Sequence, residues 1–537
     1  MGGSKNDHFD TLSKWVLVMR YPILLALATA AYMIGYAGHE ALPGNNPTYP
    51  RGWWGWYDQG EYLRSAIAIR NSDWNTASHY YPPLYPLLGM LFVDLFPMHA
   101  FLPVNLLCYL LFIYFFVDFA KKYITWTGAV GALLLAFYVR QTGEWIPDIA
   151  LLNLWLEPWT TTPVAAIISY LIWSFDRVLA QRQYPGLGTL AIWGCVGGMV
   201  AATRPLEAIV LLPFYFMVLG WLAFPRVDAG APVISRSRTA ASAVLIFSGI
   251  FWVLLFLLFN YLVHGSLEGR YFATNAQGNG FHIGDLVEKY ISIFVGAADL
   301  YSAPDEAIFR RMLWMALSVP ALIYVALKGN RVFRLVAFMM ILQIGLYLPY
   351  SDLLPTGIWI YHNIHYFKWL FPYAALFIFW MLRSGLQKEI LERKRDWAFV
   401  WSVIIALPIL LVRIELVEDR DVKAAVADQN GVPQIELTAK RPVAMELVTL
   451  PMLSGDYPKV YFGGENQVVA DGKPLKFIRD YRLFLRGSGG VELLFIRPIV
   501  ASTVSIHAKE LSFRPTDEIV RVDRTRLAIG WPIWARR

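Results

Sequence analysis

Residues 240–262, "AASAVLIFSGIFWVLLFLLFNYL", run for 23 positions without a charge. A helix of about 20 residues crosses the roughly 30 Å hydrocarbon core of a bilayer. It can do so because every backbone polar group is satisfied inside the helix. The stretch therefore reads as a membrane span. The same ruler finds further apolar runs at 21–37, 101–119, 126–141, 157–175, 187–203, 206–224, 310–327, 333–350, 366–383 and 397–413, eleven spans in all. Residues 82–96 open with Pro82-Pro83 and are too short to cross, so they read as a re-entrant or interfacial helix.

Composition agrees with this reading. Of 537 residues, 57% are hydrophobic and 16% charged, more apolar surface than a soluble chain of this size hides. An aromatic share of 15% suits Trp and Tyr belts at the two interfaces. The net charge of +7 is not a nucleic-acid signature, because the basic residues stand in short clusters between apolar runs.

Those clusters alternate. Lys5, Lys14 and Arg20 come first, then Lys121 with Lys122, Arg177 with Arg182, and Arg226 with Arg236 and Arg238. Lys328, Arg331 and Arg334 follow, then Lys388, Arg393, Lys394 and Arg395. By the positive-inside rule these loops and the N-terminus are cytoplasmic. The loops 38–100, 142–156, 263–309 and 351–365, and the break at Arg204, are then outside. Lys14 and Arg20 ahead of an apolar stretch resemble a signal peptide. Further spans and the lack of a small-residue cleavage site make it a retained first helix. Cys108 and Cys195 lie inside apolar runs and read as inert core residues.

An odd number of spans sends the tail outward. From 415 to 537 charges become frequent, and turn signals appear in "ADQNGVP", "SGDYP", "ADGKP" and "RGSGG". Alternating segments between them, "KVYFGG", "KFIRDYRLFL" and "VELLFIRPIV", read as strands. The expected organisation is an α-helical polytopic membrane domain over 1–414 and a small outward-facing β-rich domain over 415–537, with a sandwich as its candidate architecture.

The first outer loop carries "WGWYDQGEYLRSA", residues 54–66. On a helix, Asp58, Glu61 and Tyr62 stand at i, i+3 and i+4 and share a face. A carboxylate at an aromatic membrane edge suits a general base, since partial desolvation raises its basicity. A solvated acid capping the helix start is the plainer explanation. Glu157 precedes Pro158 at the expected outer end of a span, where an acid also favours the helix N-terminus electrostatically. Glu144 and Asp148 compete with it as a second acid. Arg204 in "AATRPLEAIVLLP" interrupts two apolar runs at the outer side, where a buried cation is expensive and thus a functional candidate. In "YHNIHYFKWLFPY", His362, His365 and Lys368 are spaced by three, and three cations at a membrane surface suit a phosphate. Snorkelling of Lys368 to lipid headgroups is the plainer account. Metal binding by His362 and His365 is a weaker option for want of further ligands, and no cofactor motif is indicated.

Taken in order, these residues resemble the GT-C class of polytopic glycosyltransferases, the group holding the protein O-mannosyltransferases and the lipid A aminoarabinose transferase. The resemblance covers Tyr21 to Arg383. It rests on Tyr57, Asp58 and Tyr62 in a Y-D-x-x-x-Y pattern, on "YPPLYPLL" beginning at Tyr81, on Glu157-Pro158, on Gly198 to Pro205, and on "HYFKWLFPY". It implies an inverting transfer of a sugar from a polyprenyl-phosphate donor to a hydroxyl of a glycan, lipid or protein acceptor. The reaction would run at the outer face of the cytoplasmic membrane. Asp58 would be the base and Glu157 the second acid, with Arg204, His365 and Lys368 on the lipid phosphate. Glu61, Tyr62, Tyr81, Asp148 and His362 would contact substrate. The chain departs from the pattern where Glu157 replaces an Asp of some members, and where Lys368 replaces a common Arg and gives up its bidentate fork. A transporter or flippase is the main alternative, although no internal repeat supports it. A glycan polymerase or ligase is another, for which Arg270 in the 264–310 loop is the candidate residue.

Overall fold

The structure is a computed structural model. It describes residues 4–39, 42–43, 45, 57–139, 151–181, 184–223, 235–277, 286–296, 307–350, 353, 358–359, 362–387, 396–418, 421–429, 432–451, 467–476, 480–486, 490–507 and 521–529. The helices are α1 (Ser4–Gly38), α2 (Tyr57–Arg70), α3 (Leu84–Met90), α4 (Leu102–Ile124), α5 (Trp126–Phe137), α6 (Asn153–Leu156), α7 (Thr161–Ala180), α8 (Leu187–Thr203) and α9 (Pro205–Ala223). They continue with α10 (Ser235–His264), α11 (Gly269–Gln277), α12 (Leu286–Tyr290), α13 (Ile308–Arg311), α14 (Ser318–Lys328), α15 (Arg331–Tyr347), α16 (Leu370–Met381) and α17 (Trp397–Leu411).

Most of the apolar runs lie on one of these helices, while 310–327 is broken at Met312 between α13 and the tight turn that leads into α14. Among the described residues five helices are long and apolar enough to cross a membrane: Met19–Gly38, Leu102–Ile124, Thr161–Ala180, Pro205–Ala223 and Arg238–His264. The other runs give shorter helices. Several begin at polar caps: Thr125 accepts from Gly128 N, Asn330 from Phe333 N and Asp396 from Ala398 N. Pro205 opens α9, where its missing N–H costs nothing. α8 and α10 pack backbone to backbone through glycines. A Cβ on Gly194 would meet Leu245 O, and one on Gly198 would meet Gly249 O. Small residues four apart are the usual means of bringing two apolar helices that close.

The helix ends sort into two layers. In one, Tyr21 and Lys121 bond Asp118, Trp173 Nε1 donates to Asp118, and Lys122 and Tyr123 bond Asp176. Asn330 and Arg383 reach Tyr123 in the same layer. In the other layer lie His39, Glu157, Arg204, Tyr347 and His362, joined across α1, α7, α8, α15 and the turn before α16. Lys121, Lys122, Arg177 and Arg383, basic residues at helix ends, gather in the first layer. Almost all of the candidate site residues gather in the second.

α17 runs directly into a sheet: β1 (Val412–Glu418), β2 (Val422–Gln429), β3 (Val432–Pro451), β4 (Gln467–Ala470), β5 (Lys473–Leu475), β6 (Tyr481–Arg486), β7 (Gly490–His507) and β8 (Arg521–Ile529). The strands form one antiparallel sheet in the order β1-β8-β3-β7-β4-β5, with β2 on β3 and β6 on β7. Among the described residues all eight strands belong to this one sheet, rather than to two separate sheets of a sandwich. The long strands β3 and β7 pair with each other at both ends, and shifts between Thr438/Val443 and Met445/Leu447 let them bend. Their inward faces close a core of Leu437, Val448, Leu493, Phe495 and Val504. β1 packs against residues 291–295, and Phe294 meets Phe367 edge-on, so the sheet lies on the candidate-site side. The expected strand at 459–464 falls outside the described residues.

Candidate functional site

Asp58, Tyr62 and Tyr81 converge. α2 carries Asp58 and Tyr62 one helical turn apart, and the Tyr81 hydroxyl donates to Asp58 Oδ1 at 2.5 Å. The rings of Tyr62 and Tyr81 lie 4.6 Å apart, and Tyr271 of α11 follows at 5.0 Å from Tyr81. Glu61 does not join them. About 100° per residue turns it away from Tyr62, and its Oε1 accepts from Arg64 at 2.6 Å. The expected three-residue face is therefore a pair, with the intervening acid spent on a salt bridge.

Arg204 sits in the one-residue break between α8 and α9. Nε donates to Glu207 Oε1 at 2.6 Å, Nη1 to Thr160 Oγ1 at 3.0 Å and Nη2 to the Tyr347 hydroxyl at 2.7 Å. Tyr347 also donates to Glu207, and the guanidinium stacks over Tyr366 at 4.9 Å. A guanidinium has five N–H groups, so one on each Nη is left for a ligand among the described residues. Glu207 was not singled out from the sequence. Its signal is the i, i+3 spacing from Arg204 in "RPLE".

These residues surround one cavity of about 230 Å³, lined by Asp58, Tyr62, Tyr81, Arg204, Glu207, Tyr271, Tyr347 and Tyr366 among others. Burial pushes the phenols of Tyr62 and Tyr81 well up, and the nearby Asp58 carboxylate adds to it. Burial raises Tyr271 to about 12, against a lowering by Arg204. All three stay protonated at neutral pH and serve as hydroxyl donors and acceptors. That leaves the carboxylates as the bases of the cavity.

A second cluster stands behind it. Glu157 does not precede the first residue of a helix as expected. It follows α6 in extended conformation, and α7 begins at Thr161. Its carboxylate accepts from Trp159 Nε1 at 2.9 Å, pairs with His362 Nδ1 at 2.9 Å and faces His39 Nε2 at 3.3 Å. His362 takes a left-handed backbone, φ 56°, which non-glycine residues adopt sparingly and which often marks a constrained site. His365 stacks on Trp159 at 3.9 Å, with Nδ1 3.0 Å from Thr161 Oγ1. Lys368 does not snorkel to headgroups. It is 2% exposed, and Nζ donates to Leu154 O at 2.6 Å and Thr162 Oγ1 at 2.8 Å.

The three cationic candidates thus hang on three consecutive threonines at the start of α7: Arg204 on Thr160, His365 on Thr161 and Lys368 on Thr162. Arg204 alone of the three lines the cavity, and Glu157 and His362 are likewise set back from it. Arg270 is exposed, with its guanidinium 5.4 Å from the Tyr80 ring. Its loop is helical over α11 and contributes Tyr271 and Phe272 to the cavity. Glu144 and Asp148 lie outside the described residues. Among the described residues no group of three or more His, Cys, Asp or Glu is placed to hold a metal ion.

No protein-family model matches the chain, and no curated protein matches it significantly. Among solved structures, the crystal structure of ArnT from Cupriavidus metallidurans in the apo state is similar to it at 14% identity, covering 75% of this chain and 70% of that chain, with a TM-score of 0.41. A likeness of that degree decides nothing about the site, and function is argued from the residues themselves.

Proposed function

We propose that the chain is a GT-C-like membrane glycosyltransferase that moves a sugar from a polyprenyl-phosphate donor to an acceptor hydroxyl. The observation that carries this reading is a carboxylate, Asp58, and a guanidinium with two spare N–H groups, Arg204, facing one tyrosine-lined cavity. Asp58 takes the proton of the acceptor hydroxyl. The freed oxygen attacks the anomeric carbon, the bond from that carbon to the phosphate oxygen breaks, and the lipid phosphate leaves with the electron pair. One displacement inverts the anomeric centre. Arg204 holds the negative charge that grows on the phosphate, and its anchoring at three points means little reorganisation during the step. Tyr81 orients Asp58. Glu157, His362, His365 and Lys368 act as the support behind the cavity, fixing the start of α7 and through Thr160 the position of Arg204.

Apolar helices such as α4 and α7 run from the basic layer, at Asp118 and Asp176, to the site layer, at Asn105 and Thr161. With the positive-inside rule this favours eleven spans of the cytoplasmic membrane, with the cavity and the residues from 415 onward outside. The experiment is release of free polyprenyl phosphate from a panel of polyprenyl-phosphate sugars, with membrane extract as acceptor. The expected result is release from one sugar class, and kcat lowered about 10²-fold in Arg204→Lys with kcat/KM falling alongside, as loss of an interaction that strengthens in the transition state would give. Donor binding without release from any member of the panel would turn the reading toward a transporter.

A further inference from the structure

The basic layer carries a surface that the proposed reaction does not use. Leu107, Leu111, Tyr114, Asp118 and Lys121 recur at i, i+4, i+7, i+11 and i+14 along α4 and so share one helix face. Leu107 is 58% exposed and Leu111 38%. Tyr114 lies between flanking rings, 5.3 Å from Tyr21 of α1 and 6.2 Å from Trp173 of α7. The face is thus apolar and open in mid-helix, aromatic further on, and charged at its end.

The charges there do not balance. Asp118 Oδ1 accepts from Tyr21 and Lys121, while Oδ2 accepts from Trp173 Nε1 at 2.8 Å and faces Arg177 Nη2 at 3.4 Å. Both oxygens are thereby used. Arg177 stacks over Trp173 at 4.5 Å and stays half exposed. Arg20 stacks over Trp126 at 4.8 Å, and its Nε is buried with no partner among the described residues. Among these four residues three cations stand against one acid, a local charge of +2.

We propose that this surface binds an anionic phospholipid. Its headgroup phosphate sits among Arg20, Lys121 and Arg177, and an acyl chain follows Leu111 and Leu107 toward the middle of the bilayer. The excess charge selects the headgroup, since a zwitterionic lipid would bring its own ammonium to a site already at +2. Basic residues at an anionic membrane surface strengthen binding by roughly fivefold each.

The test is native mass spectrometry of the full chain in detergent, offered equimolar phosphatidylglycerol and phosphatidylcholine of matched chains. The wild type is expected to retain phosphatidylglycerol about tenfold in preference. Arg20→Gln with Arg177→Gln should bring the ratio close to one. Lys328→Gln with Arg331→Gln removes the same charge from exposed positions near the same helix ends and should leave the preference in place. Equal retention of the two lipids by the wild type would overturn the proposal, as would an equal loss in the control pair. Displacement of the lipid by millimolar inorganic phosphate would also overturn it, by showing a site for the anion alone. The wild-type ratio and the phosphate competition decide the matter even where the double variant does not fold.

Discussion

Arg204 and Glu207 should behave as one unit, and a double-mutant cycle measures it. Glu207 has a side chain 2% exposed and Arg204 one 13% exposed, joined at 2.6 Å. Arg204→Met leaves the Glu207 carboxylate buried opposite a thioether, a change that costs about 3–5 kcal/mol. Glu207→Gln keeps an acceptor for Arg204 and Tyr347 but removes the charge from both bonds, which costs about 1.5–3 kcal/mol. The double variant holds neither a stranded acid nor a stranded cation. It should cost roughly 2 kcal/mol less than the sum of the single variants. The assay is unfolding of the purified chain in detergent, followed by tryptophan fluorescence, with all four proteins compared under one condition. Costs that add to within about 0.5 kcal/mol would refute the reasoning. They would mean that Thr160 and Tyr347 hold Arg204 independently of Glu207.

Gly198→Val should lower the melting temperature, with a cost of about 1–3 kcal/mol or more from overpacking where α8 meets Gly249 O of α10. Gly186→Val, where a Cβ meets nothing within 4 Å, is the comparison. The sheet should lose stability in acid through Asp471, whose carboxylate is held below its usual range by the backbone N–H groups of Thr503 and Ser502. A carboxyl depressed in the folded state stabilises above its unfolded value of about 3.9 and ceases to as pH falls through the folded value. Asp471→Asn should flatten that part of a circular dichroism titration, and an unchanged acid limb would exclude the residue. Lys368→Met should reduce stability yet leave the donor KM within about twofold, because Lys368 stands behind the cavity. A tenfold rise in KM would put Lys368 on the donor.

Hydropathy and charge made the helices legible because both act along the chain. A run such as 240–262 has few alternatives to crossing the bilayer, and Lys121, Lys122 and Arg177 at the ends of α4 and α7 lie in one layer. Asp58, Tyr62, Tyr81 and Arg204 were legible too, being polar residues where apolar ones would be cheaper. What could not be read was partnership across the chain. Tyr347 reaches Arg204 over 143 positions and His362 reaches Glu157 over 205, and no local period reports such contacts. Lys368 shows the same limit. Its spacing from His365 suggested a common ligand, whereas the threonines of α7 hold the two side chains separately. Glu61 shows the limit of helix-face arguments, since an arginine three residues on is enough to claim it.

The central claim is that Asp58 is the base in the cavity that Arg204 completes. Its most direct test is the single-turnover rate of polyprenyl phosphate release by Asp58→Asn, with donor binding measured in the same preparation. Loss of a general base should lower the rate by about 10²–10⁴-fold, while the donor dissociation constant stays near that of wild type. Release at close to the wild-type rate, with donor bound, would contradict the account.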